Sequence, residues 1–318
     1  MLTCGIVILN YNEYPVTEEL LSRIKDCPEI DHIVVVDNDS PNNSYTHLKE
    51  YESPKVSVIQ SGKNGGYSFG NNVGARYLIQ NYHPDIIGIA NPDTVFDGSL
   101  VRRVKELFSA NDDYALITGF NLNKDGSSAA RPFWGDEGTV LTLYKAVLWE
   151  IMVRPFVNFS KKVLHVKKPG KYERWVESIR TSTNALNEVW GVMGCLFFVR
   201  ADDFLKIGLF DENIFMYDEE NILAFKLHKI GKKLGIAGGV SFIHDHRNPK
   251  NESPVKRLDR GMNYINLSER SAVYYFSRYI SQSIILQAGY KLLMRLRWLK
   301  SISAVLVKKC VYRLKGIH

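Results

Sequence analysis

The stretch YDEENILAFKLHKIG, beginning at Tyr217, sets three carboxylates, Asp218, Glu219 and Glu220, directly ahead of an amphipathic helical pattern. Like charges this close disfavour one another's ionisation, and such crowding is one way a chain tunes a carboxyl group to accept a proton near neutral pH. A helix start accounts for part of it, because the unpaired N–H groups and positive dipole end of a helix favour acids. On that reading Asp218 is an N-cap, and Ile222, Leu223, Phe225, Leu227 and Ile230 form an apolar face that Gly231 ends. The two uses are compatible: Asp218 caps the helix, and a neighbouring glutamate can still have its proton affinity raised by the adjacent acids.

A fourth acid, Asp93, stands in Asn91-Pro92-Asp93-Thr94 after the apolar run IIGIA. It supplies one hard oxygen ligand for Mg2+ or Mn2+, ions that keep several waters and complete their shell with substrate phosphate oxygens. Such an ion offsets charge on a departing nucleoside diphosphate, while a second carboxylate deprotonates the incoming hydroxyl. Other chemistries lack their marks. There is no GxGxxG after the first strand, no GxxxxGK[ST], no GxSxG and no metal-spaced Cys/His cluster.

The elements that must hold these residues are legible as a rhythm. CGIVILN, HIVVVDN, VSVIQ, IIGIA and YALITGF read as strands, with helical patterns at Val16–Lys25, Tyr45–Tyr51, Asn72–Gln80 and Ser99–Phe108 between them. Nearly all-apolar strands alternating with helices imply an α/β fold with a mostly parallel sheet covered on both faces. Ligands bind such sheets outside the carboxyl ends of the strands. Four of those ends carry polar residues: Asn10-Tyr11-Asn12, Asp37-Asn38-Asp39-Ser40, the loop GKNGGYSFGNN and Asn91-Pro92-Asp93. Each alone is ordinary turn chemistry; four at one edge describe a site for a base, a ribose and a metal-bound diphosphate.

Residues 123–187 lose a clean period and read as an irregular insert rich in aromatic and basic residues. EVWGVMGCLFFVR then reads as one long strand, GVSFIHDH as a last strand, and two helices follow a polar linker at 247–257. The expected organisation is a nucleotide-binding half over 1–122, an acceptor half over 123–260 and C-terminal helices over 261–318. The chain is long enough for a sizeable core. It opens straight into a strand-like run without a charged-then-apolar leader, and no uncharged apolar stretch reaches the roughly 18 residues of a membrane span. Four separated cysteines with no CxxC spacing fit reduced, structural thiols and a cytoplasmic setting.

Of the net charge of +7, nine positive charges lie beyond Arg270, where no acid occurs, so the preceding residues are slightly acidic. The tail segment from Ser283 to Ile317 mixes these cations with Leu, Ile, Val, Trp and Tyr and reads as an interfacial helix on an anionic membrane surface. Packing on the protein's own core or on a second copy, as a homo-oligomer, is the next use in rank. Nucleic acid is the least favoured partner, since no recognition module accompanies the charges.

In order and spacing, VILNYN, VVVDNDS, NGGYSFGNNVGA, NPDT, GCLFFVRADDFLKIGLFDENIFMYDEENILAFKL and IHDH resemble the family 2 glycosyltransferases, in particular rhamnosyl- and galactofuranosyltransferase-like members of bacterial polysaccharide pathways. The resemblance spans roughly residues 3–246 apart from the insert. It implies a GT-A fold and inverting transfer of rhamnose, galactofuranose or another hexose from a UDP- or dTDP-sugar to a glycan or polyprenyl-linked acceptor at the inner face of the membrane. Position by position, it implies that Asp37 meets the pyrimidine base, Asn10 and Asn64-Gly65 lie close to the nucleotide, and Asn71 lies near the sugar or diphosphate. Asn91-Pro92-Asp93 falls where the family has a metal-binding Asp-x-Asp; Asn91 replaces the first acid, which leaves Asp93 as the metal ligand. Glu219-Glu220 matches a Glu-Asp pair whose second member is usually the base, which favours Glu220. The family often has a further Asp where this chain has Ile222. His244, with His246 close behind, falls near the metal or diphosphate, and Trp134 and Trp190 are either core residues or platforms for sugar rings. Two other readings remain: a non-catalytic nucleotide-sugar or glycan-binding subunit, suggested by Asn91 and Ile222, and more distantly a sugar-nucleotide pyrophosphorylase, whose basic glycine-rich phosphate loop is missing.

Overall fold

The computed structural model describes residues 2–129, 131–154, 170–245 and 253–314. These form two compact units. The first comprises Met1–Asp136, Lys171–Phe215 and Glu219–His246, and the second Glu137–Gly170, Met216–Asp218 and Arg247–His318. The expected insert is thus divided: its later helix belongs with the sheet and its earlier one with the C-terminal helices.

The first unit is built on β1 (Cys4–Asn10), β2 (His32–Asp37), β3 (Val56–Gln60) and β4 (Ile86–Ala90), which lie parallel in the order β3-β2-β1-β4. The sheet continues through strands met later in the chain. Beyond β5 (Thr94–Val95), β6 (Tyr114–Leu122) and β7 (Phe133–Trp134) come β8 (Leu186–Val189), β9 (Gly191–Val192), β10 (Leu196–Arg200) and β11 (Lys233–His244). β10 enters between β4 and β6 antiparallel to both, β11 runs parallel to β6, and β5 and β8 pair antiparallel with β11. The expected α/β sheet is therefore parallel in its first half and mixed in its second.

The apolar runs are explained by burial on both faces. In β1, Ile6 and Ile8 enter one core and Val7 the other; in β2, Ile33 and Val35 enter the first and Val34 and Val36 the second. Alternation along a strand sends neighbours to opposite faces, and helices cover both. α1 (Tyr14–Ile24) buries Leu20, Leu21 and Ile24, and α4 (Gly98–Ala110) buries Leu100, Val101, Val104 and Phe108. The short α2 (Ser44–Lys49) covers the β2–β3 edge. α3 spans Gly66–Tyr82 and begins six residues ahead of the expected Asn72. Its glycines lower local propensity, but Gly70 and Gly74 face Leu9 and Val7 and let the helix lie close on β1 and β2.

The long strand expected for EVWGVMGCLFFVR is instead three strands that serve four partners. β8 pairs with β11, β9 with β7, and β10 with β4 and β6. The chain leaves the sheet at Trp190, whose N–H bonds the Trp134 carbonyl, and re-enters after Met193-Gly194-Cys195. In the former insert, the helix Lys171–Arg180 is tied down by Tyr172, which donates to the Phe133 carbonyl at 2.6 Å, and by Trp175, edge-on to Phe133.

The second unit contains the helices Val140–Leu148, Pro254–Tyr275 and Ile284–Leu314 around a small core of Val147, Phe276, Tyr290 and Met294. Trp298 donates to Asn266 at 2.6 Å, and Lys300 donates to the Glu150 carbonyl at 3.2 Å. No described helix is long and apolar enough to cross a membrane.

Candidate active site

The polar ends of β1 and β2 form one hydrogen-bonded group. Asn10 donates to Asp37 at 2.9 Å and accepts from Thr17 at 2.9 Å, and Ser40 reaches the Asp37 carboxylate through its hydroxyl at 2.6 Å and its N–H at 3.1 Å. Asn10 and Asp37 are both fully buried. Their acceptors are occupied by the chain's own donors, so these two residues shape the 38–40 loop from beneath. Asn38, the next residue in that strand end, carries the connection onward. Its amide donates to Asn64 at 3.0 Å and to the Gly66 carbonyl at 3.3 Å, and it accepts from Ser61 at 3.0 Å.

Asn64 also accepts the Gly66 N–H at 3.2 Å, closing the turn that opens α3. Gly66 has φ +87°, and a Cβ there would run into the Phe215 carbonyl. Only glycine meets both conditions without strain. Asn71, one turn into the helix, donates to the Tyr67 carbonyl at 3.0 Å, while its own Oδ1 is buried without a partner.

After β4, Asn91 is held by its backbone: its N–H bonds the Cys195 carbonyl at 2.7 Å, and its carbonyl accepts from Thr94 N–H at 3.1 Å and Thr94 hydroxyl at 2.7 Å. β5 then pairs with the end of β11, Thr94 opposite His244. That pairing brings His244 Nε2 to 3.1 Å from Asp93 Oδ1, and the Asp93 carbonyl accepts the Asp245 N–H at 2.8 Å. His246 lies outside the described residues.

The helix Glu219–Lys229 carries the acidic pair in its first turn. Glu219 is buried at 6 % exposure, whereas Glu220 is half-buried. Glu220 Oε1 accepts the Gly194 N–H at 3.1 Å. Asp218 precedes the helix with φ +63°, following Tyr217 at φ +73°. Two successive non-glycine residues in the left-handed region store backbone strain of the kind that collects at functional sites. Gly231, at φ +78°, ends the helix as expected.

Gly194-Cys195 is the hinge of the arrangement: the glycine N–H holds Glu220 and the cysteine carbonyl holds Asn91, two residues before Asp93. Burial pushes the Cys195 thiol far up its scale, and the charges of both Glu220 and Asp93 add to that rise. Adjacent residues of one short segment thus hold Glu220 by its carboxylate and Asn91 by its backbone. Trp134 and Trp190 are partly exposed and tilted on each other at 6.3 Å, with Trp190 also stacked on His228.

The donor set suits a divalent ion. No group of three or more His, Cys, Asp or Glu converges among the described residues, but a carboxylate oxygen beside an imidazole nitrogen fits an ion that takes the rest of its shell from waters and phosphates.

Residues 5–164, about half the chain, match the family described as glycosyl transferase family 2. The chain belongs to that family. It is 26 % identical over 245 residues to the low-salt glycan biosynthesis hexosyltransferase Agl10 of Haloferax volcanii, a match that takes in 76 % of this chain and 66 % of that one, just under two thirds of its length. It is 23 % identical over 244 residues to the rhamnosyltransferase WbbL of Escherichia coli, covering 75 % of this chain and 82 % of the other. Among solved structures it resembles the mannosyltransferase PcManGT of Pyrobaculum calidifontis in complex with GDP-Man and Mn2+, with a TM-score of 0.53 at 14 % identity over 98 % of this chain and 75 % of that one. It also resembles GalNAc-T7 with UDP, GalNAc and Mn2+, with a TM-score of 0.52 at 17 % identity over 93 % of this chain and 55 % of that one. This family 2 chain thus has the GT-A fold that the resemblance implied.

Proposed function

We propose that the chain catalyses inverting transfer of a sugar, rhamnose, galactofuranose or another hexose, from a UDP- or dTDP-sugar to a glycan acceptor carried on a polyprenyl-type lipid. The observation that carries this reading is that Gly194-Cys195 binds the Glu220 carboxylate through the glycine N–H and, through the cysteine carbonyl, the backbone of Asn91, two residues before Asp93. A non-catalytic binding subunit is not favoured, since both acids are retained within one arrangement. The nucleotide would meet the loops shaped by Asn10, Asp37 and Asn38 and the Asn64-Gly65 turn, and the orphaned Asn71 Oδ1 is an acceptor that a donor hydroxyl would satisfy. Mg2+ or Mn2+ held by Asp93 and His244, beside Asn91, would offset the charge gathering on the diphosphate. Glu220 takes the proton from the acceptor hydroxyl as the oxygen lone pair forms the new bond to the anomeric carbon. The glycosyl–phosphate bond breaks on the opposite face, its electrons leave with the nucleoside diphosphate, and the configuration inverts. No separate general acid is needed, unlike hydrolysis by paired carboxylates.

Thermal unfolding with a panel of UDP-, dTDP- and GDP-sugars, with and without Mn2+, tests the reading. A cognate donor at 100 times its Kd stabilises the fold by about 2.7 kcal/mol, and the rise should require Mn2+. A chain that no nucleotide sugar stabilises under either condition would defeat the proposal.

The lipid-bound acceptor also gives the helix Ile284–Leu314 a use. Tyr290, Met294 and Ile302 face its neighbours, whereas Ile285, Leu292, Leu296 and Leu299 are 83 %, 63 %, 46 % and 48 % exposed. Those exposed positions recur at helical spacing as a second apolar stripe, with Lys291 and Arg295 beside it and no acid on the helix. Anionic headgroups complement this charge, whereas a second copy of the same face would repel it. Replacing Leu292, Leu296 and Leu299 with Gln should weaken sedimentation with phosphatidylglycerol vesicles on the order of a hundredfold, at roughly 1 kcal/mol for each partly inserted side chain. Unchanged sedimentation would remove the stripe from the membrane.

A further inference from the structure

Glu220 is oriented from outside its own helix. Gly194 gives its N–H to the Glu220 carboxylate at 3.1 Å, and the carbonyl of the same glycine accepts the Tyr67 hydroxyl at 2.5 Å. Gly194 is gripped from both sides: a Cβ on it would lie 3.0 Å from Glu220 Oε1 and 3.2 Å from Tyr67 Oη.

Tyr67 is itself fixed to the turn that opens α3. Its N–H bonds the Phe215 carbonyl at 2.9 Å, its carbonyl accepts from Asn71, and its ring meets Phe210 edge-on at 5.6 Å. Burial, together with the negative charges of Glu219 and Glu220 and the neighbouring Cys195, pushes the phenol well above its ordinary range. The hydroxyl therefore keeps its proton and remains a donor at any working pH.

We propose that Tyr67 is a positioning residue for glycosyl transfer: its hydroxyl holds the Gly194 peptide so that the Gly194 N–H aims the Glu220 carboxylate, linking the turn that meets the donor to the base that meets the acceptor. This rests on the reading of Glu220 as the base. Tyr67 touches neither substrate in this scheme. Its loss should therefore slow proton abstraction while leaving the donor held as before, the pattern expected when an interaction serves the reacting geometry and not ground-state binding.

The test is a double-mutant cycle on the full chain with a donor and acceptor that it turns over. Tyr67→Phe keeps the ring and its packing on Phe210 and removes one oxygen. It should lower kcat about tenfold, the effect of one well-oriented hydrogen bond, with the donor KM and the donor-induced rise in Tm unchanged. Gly194→Ala should lower kcat further with donor binding again retained. Tyr67→Phe combined with Glu220→Gln should be no slower than Glu220→Gln alone, because a residue that acts through Glu220 has nothing left to position. Full additivity, a Tyr67→Phe rate within twofold of the unmodified chain, or a loss of donor binding that accounts for the lost rate would each overturn the proposal. If instead Glu220→Gln leaves turnover intact, the base assignment itself fails and this inference fails with it.

Discussion

Glu220→Gln is expected to reduce kcat by a factor on the order of 10^2 to 10^4, the range that a positioned general base contributes. Glutamine matches the size of glutamate and keeps an oxygen able to accept the Gly194 N–H. The fold, the donor-induced thermal shift and the donor KM should therefore be unaltered. What is lost is the ability to hold the acceptor's proton. Glu219→Gln gives the internal comparison. Glu219 sits buried in the first helical turn, so its replacement should reveal itself more in Tm than in turnover. Single-turnover kinetics with saturating donor and acceptor separate the two. Were Glu219→Gln the inactive variant and Glu220→Gln the active one, the roles would exchange; were both active, the carboxylate mechanism would be finished.

Much of this site was legible because it is written in residue type. Apolar runs such as HIVVVDN gave the first strands closely, since burial on both faces leaves little choice of composition. The position of Asp93 just after IIGIA and of the acidic pair at a helix start followed from the same pattern. The partners of those acids were not legible. Glu220 is oriented by a backbone N–H 26 residues away, and Tyr67 reaches a backbone carbonyl across 127 residues. Backbone donors and acceptors occur at nearly every position, so no residue type announces them. The hint that remained was glycine, at 191 and 194 inside an apparently continuous strand, where an isolated glycine often marks a bulge or close approach. α3 eluded the pattern for a related reason. GYSFG reads locally as loop, and its helical form depends on Gly70 and Gly74 fitting over β1 and β2, a tertiary override of weak local propensity. Asp37 shows the converse: the acid was easy to find, but its complete burial directs attention to the loop it supports.

Asp93→Asn should lower turnover on the order of a thousandfold and, in the same variant, abolish the part of the donor's thermal stabilisation that depends on Mn2+. The physical reason lies in the ligand count. Where several acids hold an ion, losing one is tolerable; here, among the described residues, Asp93 supplies the carboxylate and His244 an imidazole nitrogen 3.1 Å from it. Position 91 is already an asparagine, so the substitution leaves this turn without any formal charge to balance a dication. An ion that polarises phosphate oxygens is worth several kcal/mol in the transition state, and each 1.36 kcal/mol is a factor of ten in rate. His244→Ala should act in the same direction but less strongly, since waters can replace a neutral nitrogen more readily than a carboxylate. The backbone bonds that hold this segment, from Asn91 N–H to Cys195 and from Thr94 to Asn91, do not involve the Asp93 side chain. The Tm without ligands should therefore stay within a few degrees of the unmodified chain, and a fold defect would be visible as its collapse. Equal Mn2+-dependent stabilisation of Asp93→Asn and the unmodified chain would move the ion elsewhere and leave Asp93 as a structural partner of His244.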